Sequence, residues 1–508
     1  CSRADGVADT RTPFAFDELY RIAVQLESLF GGALDIEWVS RESSVSIVQC
    51  RPITVSAERR VHWSNTNVNE NYPGPITPLL YSIARDAYYN YFKNLARLLQ
   101  VPRDAISDLE PDFANIIGAF GCRMYYNMTS IHNVIARSPF AKLLRGAFDN
   151  FVGYAQGDVS AQGKRRARNV VRFASSFIAL NYRLPDNVRA FEARADAYAR
   201  EYTAALELPA LRASFHQFIE IRMHGWYRAS LADFFAMVHH GLLGAYCRRY
   251  FADDASGVHN TLVQAIPGLV SSKPVAEIWR IAQMIRADER TLEVLRSCTS
   301  TEVLLYLRGE RMAHSPTTRA IDDYLETWGF RCSGELMLTV DAYCDAPERF
   351  IDLLRGYVDQ PGPDPDITIN AKAEERRNFT RSLRRVLVRK RGLLAPLAFV
   401  DIAAMHILVR LCIGGIASRE RVRLKQALLY HRFKIVLKRI GAQLVSADVI
   451  DNADDIMYLR HEEIAELLAM SQLLPGATRE IVSARRIEFS LASTKVYPDD
   501  FSTAAGAQ

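Results

Sequence analysis

The sequence predicts a mainly α protein, a long multi-helix region preceded by a small α+β segment. Three observations carry this. Apolar residues recur at i, i+3, i+4 and i+7 through residues 16–30, 78–99, 277–297 and 432–444, the spacing of one buried helix face. Period-two alternation stands out only in residues 35–54, DIEWVSRESSVSIVQCRPIT, near the start. With 508 residues, 49% of them hydrophobic and 24% charged, the chain has enough material for several domains around large cores.

In chain order, FDELYRIAVQLESLF at 16–30 is an amphipathic helix. It leads into LDIEW and SIVQC, two runs rich in β-branched and aromatic residues, separated by polar SRESSVS. That pattern is a hairpin. Side chains alternate faces along a strand, so Asp35, Glu37 and Val39 share one face, as do Ile47, Gln49 and Arg51. A turn centred on Ser43 sets Glu37 opposite Gln49 and Asp35 opposite Arg51. A carboxylate beside an amide oxygen suits Mg²⁺, which takes oxygen ligands, and a guanidinium suits phosphate. The plain structural alternative is a surface hairpin whose cross-strand ion pair is worth only about 0.2–1 kcal/mol.

From about 60 to 490 the pattern is helical. Pro73, Pro75 and Pro78 make a stiff lead-in to the helix over 78–99. PGPDP at 361–365 marks a loop between a front and a rear lobe. The most apolar stretch, 392–417, is interrupted by Asp401, His406 and Arg410 and reads as a buried bundle helix, with no membrane span. Residues 491–508 end small and polar and are expected to be a linker or disordered tail. The basic stretches 164–172 and 381–391 read as solvated helix faces, and a net charge of +5 gives no case for nucleic acid. His239 and His240 are sequence neighbours and do not share a helix face. His314 and His431 have no acid close by in sequence. Eight cysteines without C-x-x-C spacing argue against a disulfide scaffold or a zinc site and fit a reducing, cytoplasmic setting. A broad apolar cavity for a bulky ligand could draw on MYYNM at 124–128, HGWYR at 224–228 and FFAMVHH at 234–240, although Trp226, Phe234, Phe235 and Met237 equally suit an ordinary core.

The helix from Phe16, then DIEW, then QCRPIT to Thr54 closely resembles the end of the ATP-grasp domain of phosphoenolpyruvate synthases, pyruvate phosphate dikinases and rifampicin phosphotransferases. The resemblance implies that Glu37, Gln49 and Arg51 bind Mg²⁺ and ATP phosphates, with Glu37 and Gln49 as the metal ligands, and that the α+β segment is a remnant of that domain. HWSNTNVNENYPGPITPLLY at 62–81 resembles the start of the rifampicin phosphotransferase substrate-binding domain, with Asn69 where the family usually has Gly. Arg331 and Glu335 match the family's H-R-x-x-x-E-x-D-L element, and residues 418–459 resemble its closing helices. By this resemblance Asn67, Glu70, Arg331 and Glu335 are substrate-side residues. Domains are expected at 1–57 (end of ATP-grasp) and 58–490 (helical substrate-binding domain). The family's carrier histidine motif and its upstream lysine and glycine-rich loop are not in the sequence; nor is the phosphoenolpyruvate barrel that the synthases and dikinases need, which favours the rifampicin phosphotransferase branch.

The resemblance therefore implies a partial ATP-dependent phosphotransferase. Its substrate would be a small hydroxylated or lipophilic molecule, and its phosphohistidine would come from outside this chain. The alternatives are a non-catalytic helical ligand-binding or scaffold module, and one subunit of a split enzyme partnered by a separate ATP-grasp/phosphohistidine polypeptide. A split enzyme would expose an apolar interface near the N-terminus.

Overall fold

The computed structural model describes residues 16–30, 34–41, 44–52, 60–153, 167–201, 207–251, 257–266, 268–360, 362–392, 397–469 and 475–504. The turn at Ser43, the first residues of the basic stretch from 164 and Pro361 of the proline loop lie outside them. The protein is mainly α, with a few short strands. It divides into two compact units, one formed by residues 1–60 with 504–507 and one by residues 61–503.

In the small unit, α1 (Phe16–Phe30) packs on the antiparallel hairpin of β1 (Leu34–Arg41) and β2 (Ser44–Pro52). The register pairs Asp35 with Arg51 and Glu37 with Gln49. A bulge between Glu37 and Trp38 corrects the expected faces, because the next pair is Trp38 with Ile47 and Val48 has no opposite residue. One extra residue reverses the facing of everything beyond it. Ile47 therefore pairs with Trp38 instead of continuing the Gln49–Arg51 face.

In the large unit, α2 (Pro78–Leu98) buries Leu79, Leu80, Ile83, Ala87 and Phe92 in the main core, as its spacing demands. A four-stranded sheet, absent from the helical expectation, caps this region. It contains β3 (Arg60–Ser64), β4 (Ile117–Phe120), β5 (Arg123–Asn127) and β6 (Asp500–Ala504), ordered β4-β5-β3-β6. Strands of four or five residues are too short for alternation to stand out in sequence. The tail expectation is corrected here. Phe501 packs edge-on against Phe120 and Tyr125, and Trp63 Nε1 donates to Thr503 Oγ1 at 3.0 Å, so residues 500–504 are an ordered edge strand.

The helices that follow include α3 (Ala167–Glu201), α4 (Leu208–Glu220), α5 (Leu231–Tyr250) and, later in the chain, α9 (Ala398–Ser446). A π turn at Ile221–Gly225 follows α4 and leaves Arg222 fully buried, stacked 3.7 Å over Trp226 and donating to Tyr430 Oη at 2.9 Å. Phe218 and Phe433 stack face to face at 3.6 Å and join α4 to α9. The expected single helix over 277–297 is two, α6 (Ser272–Ala287) and a short helix Glu289–Ser297. They are broken at Asp288, whose carboxylate caps the second by accepting from Thr291 N. With α7 (Pro347–Asp359) they form a satellite core around Tyr324, Trp328 and Phe350.

After the proline loop, α8 (Pro365–Arg391) buries only Ala373, Leu383 and Leu387, leaving its arginines largely solvated. The apolar start of α9 is buried on one side only. Asp401, Met405, Cys412 and Gly415 face inward, while Phe399, Val400 and Ile407 are more than half exposed. This corrects the expected fully buried helix, because its packing partners α5 and α8 cover a single side. By length and composition it is also long and apolar enough to cross a membrane. Its Asp401 is paired, accepting from Arg391 and from Tyr250 Oη.

Candidate functional site

The 68–70 turn, α2, α5, α9 and the 331–336 loop converge on one cavity in the large unit, enclosing about 1200 Å³, part of it open to solvent. Its depth is aromatic and apolar, with Tyr88, Tyr91, Phe92, Tyr126, Trp226 and Phe234 among the walls. Tyr88, Tyr91 and Trp226 meet edge-on or tilted at 5.5–6.0 Å, a rigid box. Met237, which can adapt its shape, completes the wall from α5. Of the sequence candidates, Trp226, Phe234, Met237 and Tyr126 line the cavity. Phe235 is fully buried elsewhere, against Phe177 and His239.

Beside the cavity, and sharing Asn71, Leu336, Arg423 and Gln426 with it, lies a polar vestibule of about 570 Å³ also bordered by Glu70, Arg331 and Glu335. Arg419 and Arg423 lie one turn apart on the same face of α9. Both reach Glu70 Oε2 at 3.4 Å, and Arg423 also donates to Asn71 Oδ1 at 3.3 Å. Arg419 Nε donates to Asp233 Oδ1 at 2.9 Å, and Arg331 Nε to Glu335 Oε1 at 2.6 Å. Asp233 lies deep in the protein with about a third of its side chain open to the cavity. Burial pushes its carboxyl above the usual carboxylate range, against the pull of Arg419 and Arg423.

Of the four substrate-side residues expected from sequence, Asn67 lines the cavity, while Glu70, Arg331 and Glu335 border the vestibule. Sequence reasoning missed Asp233, Arg419 and Arg423 as site residues. The R-E-x-x-R spacing in SRERVR was the available signal, since i and i+4 share a helix face. Asp233 carried none, being one acid at the start of a largely apolar helix.

In the small unit, Arg51 donates to Asp35 Oδ2 and Glu37 Oε1, each at 3.1 Å, all three side chains more than half exposed. Glu37 and Gln49 face each other across the hairpin. A carboxylate and an amide oxygen side by side, with a guanidinium next to them, are a donor set that could hold Mg²⁺ and a phosphate. Among the other histidines, His239 is a core residue bonded through Nδ1 to Leu411 O at 3.1 Å, and burial lowers its pKa to about 4. His240 pairs with Asn260.

Comparison with known proteins agrees with this layout. The profile of the rifampicin phosphotransferase fourth domain matches residues 229–420, and that of the pyruvate phosphate dikinase AMP/ATP-binding domain matches residues 12–71. The first span contains Asp233, Arg331, Glu335 and Arg419; the second contains Glu37, Gln49, Arg51, Asn67 and Glu70. Rifampicin phosphotransferase of Bacillus subtilis is 23% identical over 232 residues, 46% of this chain and 26% of that protein. Its Streptomyces sviceus counterpart is 23% identical over 260 residues, 49% of this chain and 28% of that protein. An uncharacterised protein of Mycobacterium tuberculosis matches 86% of this chain and 47% of its own length, again at 23% identity. The chain thus spans less than half the length of these curated relatives. Both domain profiles and these relatives make the chain similar to the rifampicin phosphotransferase/phosphoenolpyruvate synthase-like family.

Proposed function

We propose that this chain is part of an ATP-dependent phosphotransferase. The large unit binds a lipophilic, hydroxylated acceptor, and residues 1–57 are the end of an ATP-grasp domain. The observation that carries the reading is an aromatic cavity with Arg419 and Arg423 in its wall, beside a vestibule bordered by Arg331 and Arg423. An acceptor's apolar body fits the box around Trp226, and a hydroxyl projects toward Asp233 and the vestibule. A carboxylate held above its usual pKa by burial is a better proton acceptor for that hydroxyl than an exposed one. Arg331, Arg419 and Arg423 offset the charge of a transferring phosphoryl group, which is most of what phosphoryl transfer asks of a protein. The phosphohistidine that delivers the group lies outside the described residues, on another domain or on a separate polypeptide.

Glu37 and Gln49 would hold Mg²⁺, which would offset the charge of nucleotide phosphates, and Arg51 would hold a phosphate oxygen. One observation favours a covering partner for this unit. Tyr20, Leu29, Phe30 and Val48 expose about half or more of their surface, apolar area that the rest of a nucleotide-binding domain would cover. The described cysteines are unpaired, which supports a cytoplasmic setting.

Equilibrium binding of Mg–ATP to the purified chain tests the nucleotide half. Saturable binding that is lost in Glu37→Ala and in Arg51→Ala supports the enzyme reading. Lipophilic-ligand binding with no nucleotide affinity supports the non-catalytic module instead.

A further inference from the structure

We propose a second, independent site. Cys344, Asp345 and His431 bind a borderline-soft divalent metal of the zinc type. Cys344 Sγ lies 3.4 Å from His431 Nε2, His431 Nε2 lies 3.2 Å from Asp345 Oδ1, and Cys344 Sγ lies 4.0 Å from Asp345 Oδ1. Zinc bonds of about 2.3 Å to sulfur and about 2.0–2.1 Å to nitrogen or oxygen place tetrahedral ligand atoms about 3.3–3.6 Å apart. Two of the three spacings already match, and the third needs a contraction of about 0.5 Å. Two ligands are adjacent in a loop and the third is on α9, so sequence spacing carried no trace of the site.

The surroundings suit the ion. His431 is 6% exposed, which fixes its ring, while Cys344 is exposed and gives the ion a way in. Lys434 Nζ binds the other oxygen, Asp345 Oδ2, at 3.1 Å, and is itself balanced by Asp341 at 2.7 Å. A thiolate and the Asp345 carboxylate then cancel the charge of one divalent ion, while Lys434 and Asp341 cancel each other. The ion takes the place of the Cys344 thiol proton, which is released to solvent. His431 must present the Nε2 lone pair and carry its proton on Nδ1. That atom has no protein partner in either tautomer, so the shift leaves no additional group unsatisfied. The cluster of Asp86, His461 and Glu462 is different, because Arg85 occupies both of its carboxylates.

The site would tie the 341–346 loop to α9. That loop is joined to the vestibule's edge by Tyr343 N, which donates to Arg331 O at 3.1 Å. The test is a Co²⁺ titration of the reduced, full chain. A near-ultraviolet thiolate-to-cobalt band is expected to saturate at one equivalent, disappear in Cys344→Ser and persist in Cys298→Ser. In a second measurement that needs no variant, Zn²⁺ should protect Cys344 from alkylation while Cys298 stays reactive, read by peptide mass. No band at one equivalent, a band that survives Cys344→Ser, or alkylation of Cys344 unchanged by Zn²⁺ each overturns the proposal.

Discussion

Arg51 separates structural from functional roles most cleanly at the residue scale. Its ion pairs with Asp35 and Glu37 are more than half exposed, so they are worth about 0–1 kcal/mol. Arg51→Ala should therefore cost less than about 1 kcal/mol in urea unfolding while reducing Mg–ATP affinity at least tenfold. A large stability loss with nucleotide binding unchanged would reduce Arg51 to a hairpin strut. Asp345 gives a pH prediction. His431 and Lys434 draw its carboxyl well below the usual carboxylate range, outweighing burial. A depressed folded-state pKa contributes stability above the unfolded value of about 3.9, and that stability fades as pH falls toward the folded one. Urea midpoints measured from pH 6 down to pH 3 should fall less steeply in Asp345→Asn than in the parent chain. The pairing of Glu37 with Gln49 matches the expectation from strand alternation and a turn at Ser43. The structure reaches it through the bulge, however, because Arg41 pairs with Ser44 and an unbulged ladder would set Val48 opposite Glu37. Asp233, Arg419 and Arg423 were not legible in sequence, because their meeting depends on how α5 crosses α9.

Close backbone approach governs the elements. A Cβ at Gly441 would sit 2.2 Å from Ala453 O, so this part of α9 lies against the 3₁₀ turn Ala453–Tyr458 with no room for a methyl group. Gly441→Ala should destabilise by about 1–3 kcal/mol, read as a lowered denaturation midpoint. Phe433→Ala removes a fully buried ring stacked on Phe218 and should cost about 3–5 kcal/mol. Near-parent stability of Phe433→Ala would mean that α4 and α9 do not pack as described, and near-parent stability of Gly441→Ala that α9 does not lie against the Ala453–Tyr458 turn. Long helices were visible in sequence because each buries a continuous apolar stripe. The four-stranded sheet was hidden for the opposite reason. Its strands are four or five residues long, and the neighbours β3 and β6 come from opposite ends of the large unit, so only the fold assembles their apolar face.

For the whole molecule, the central claim is that the large unit is an acceptor-binding module, with an aromatic cavity beside an arginine-lined vestibule. The family resemblance was legible from short motifs near the ends of the chain, whereas the cavity is a product of the fold. Trp226 in its wall supplies a reporter. The most direct test is equilibrium binding of rifampicin and a panel of lipophilic alcohols to the purified chain, followed by tryptophan fluorescence. Met237→Arg, which fills the cavity, is measured alongside and checked for cooperative unfolding. Saturable binding of at least one compound, weakened at least tenfold by Met237→Arg in a folded protein, is the predicted result. Binding of no compound in the panel, or binding that Met237→Arg leaves unchanged, would contradict the account.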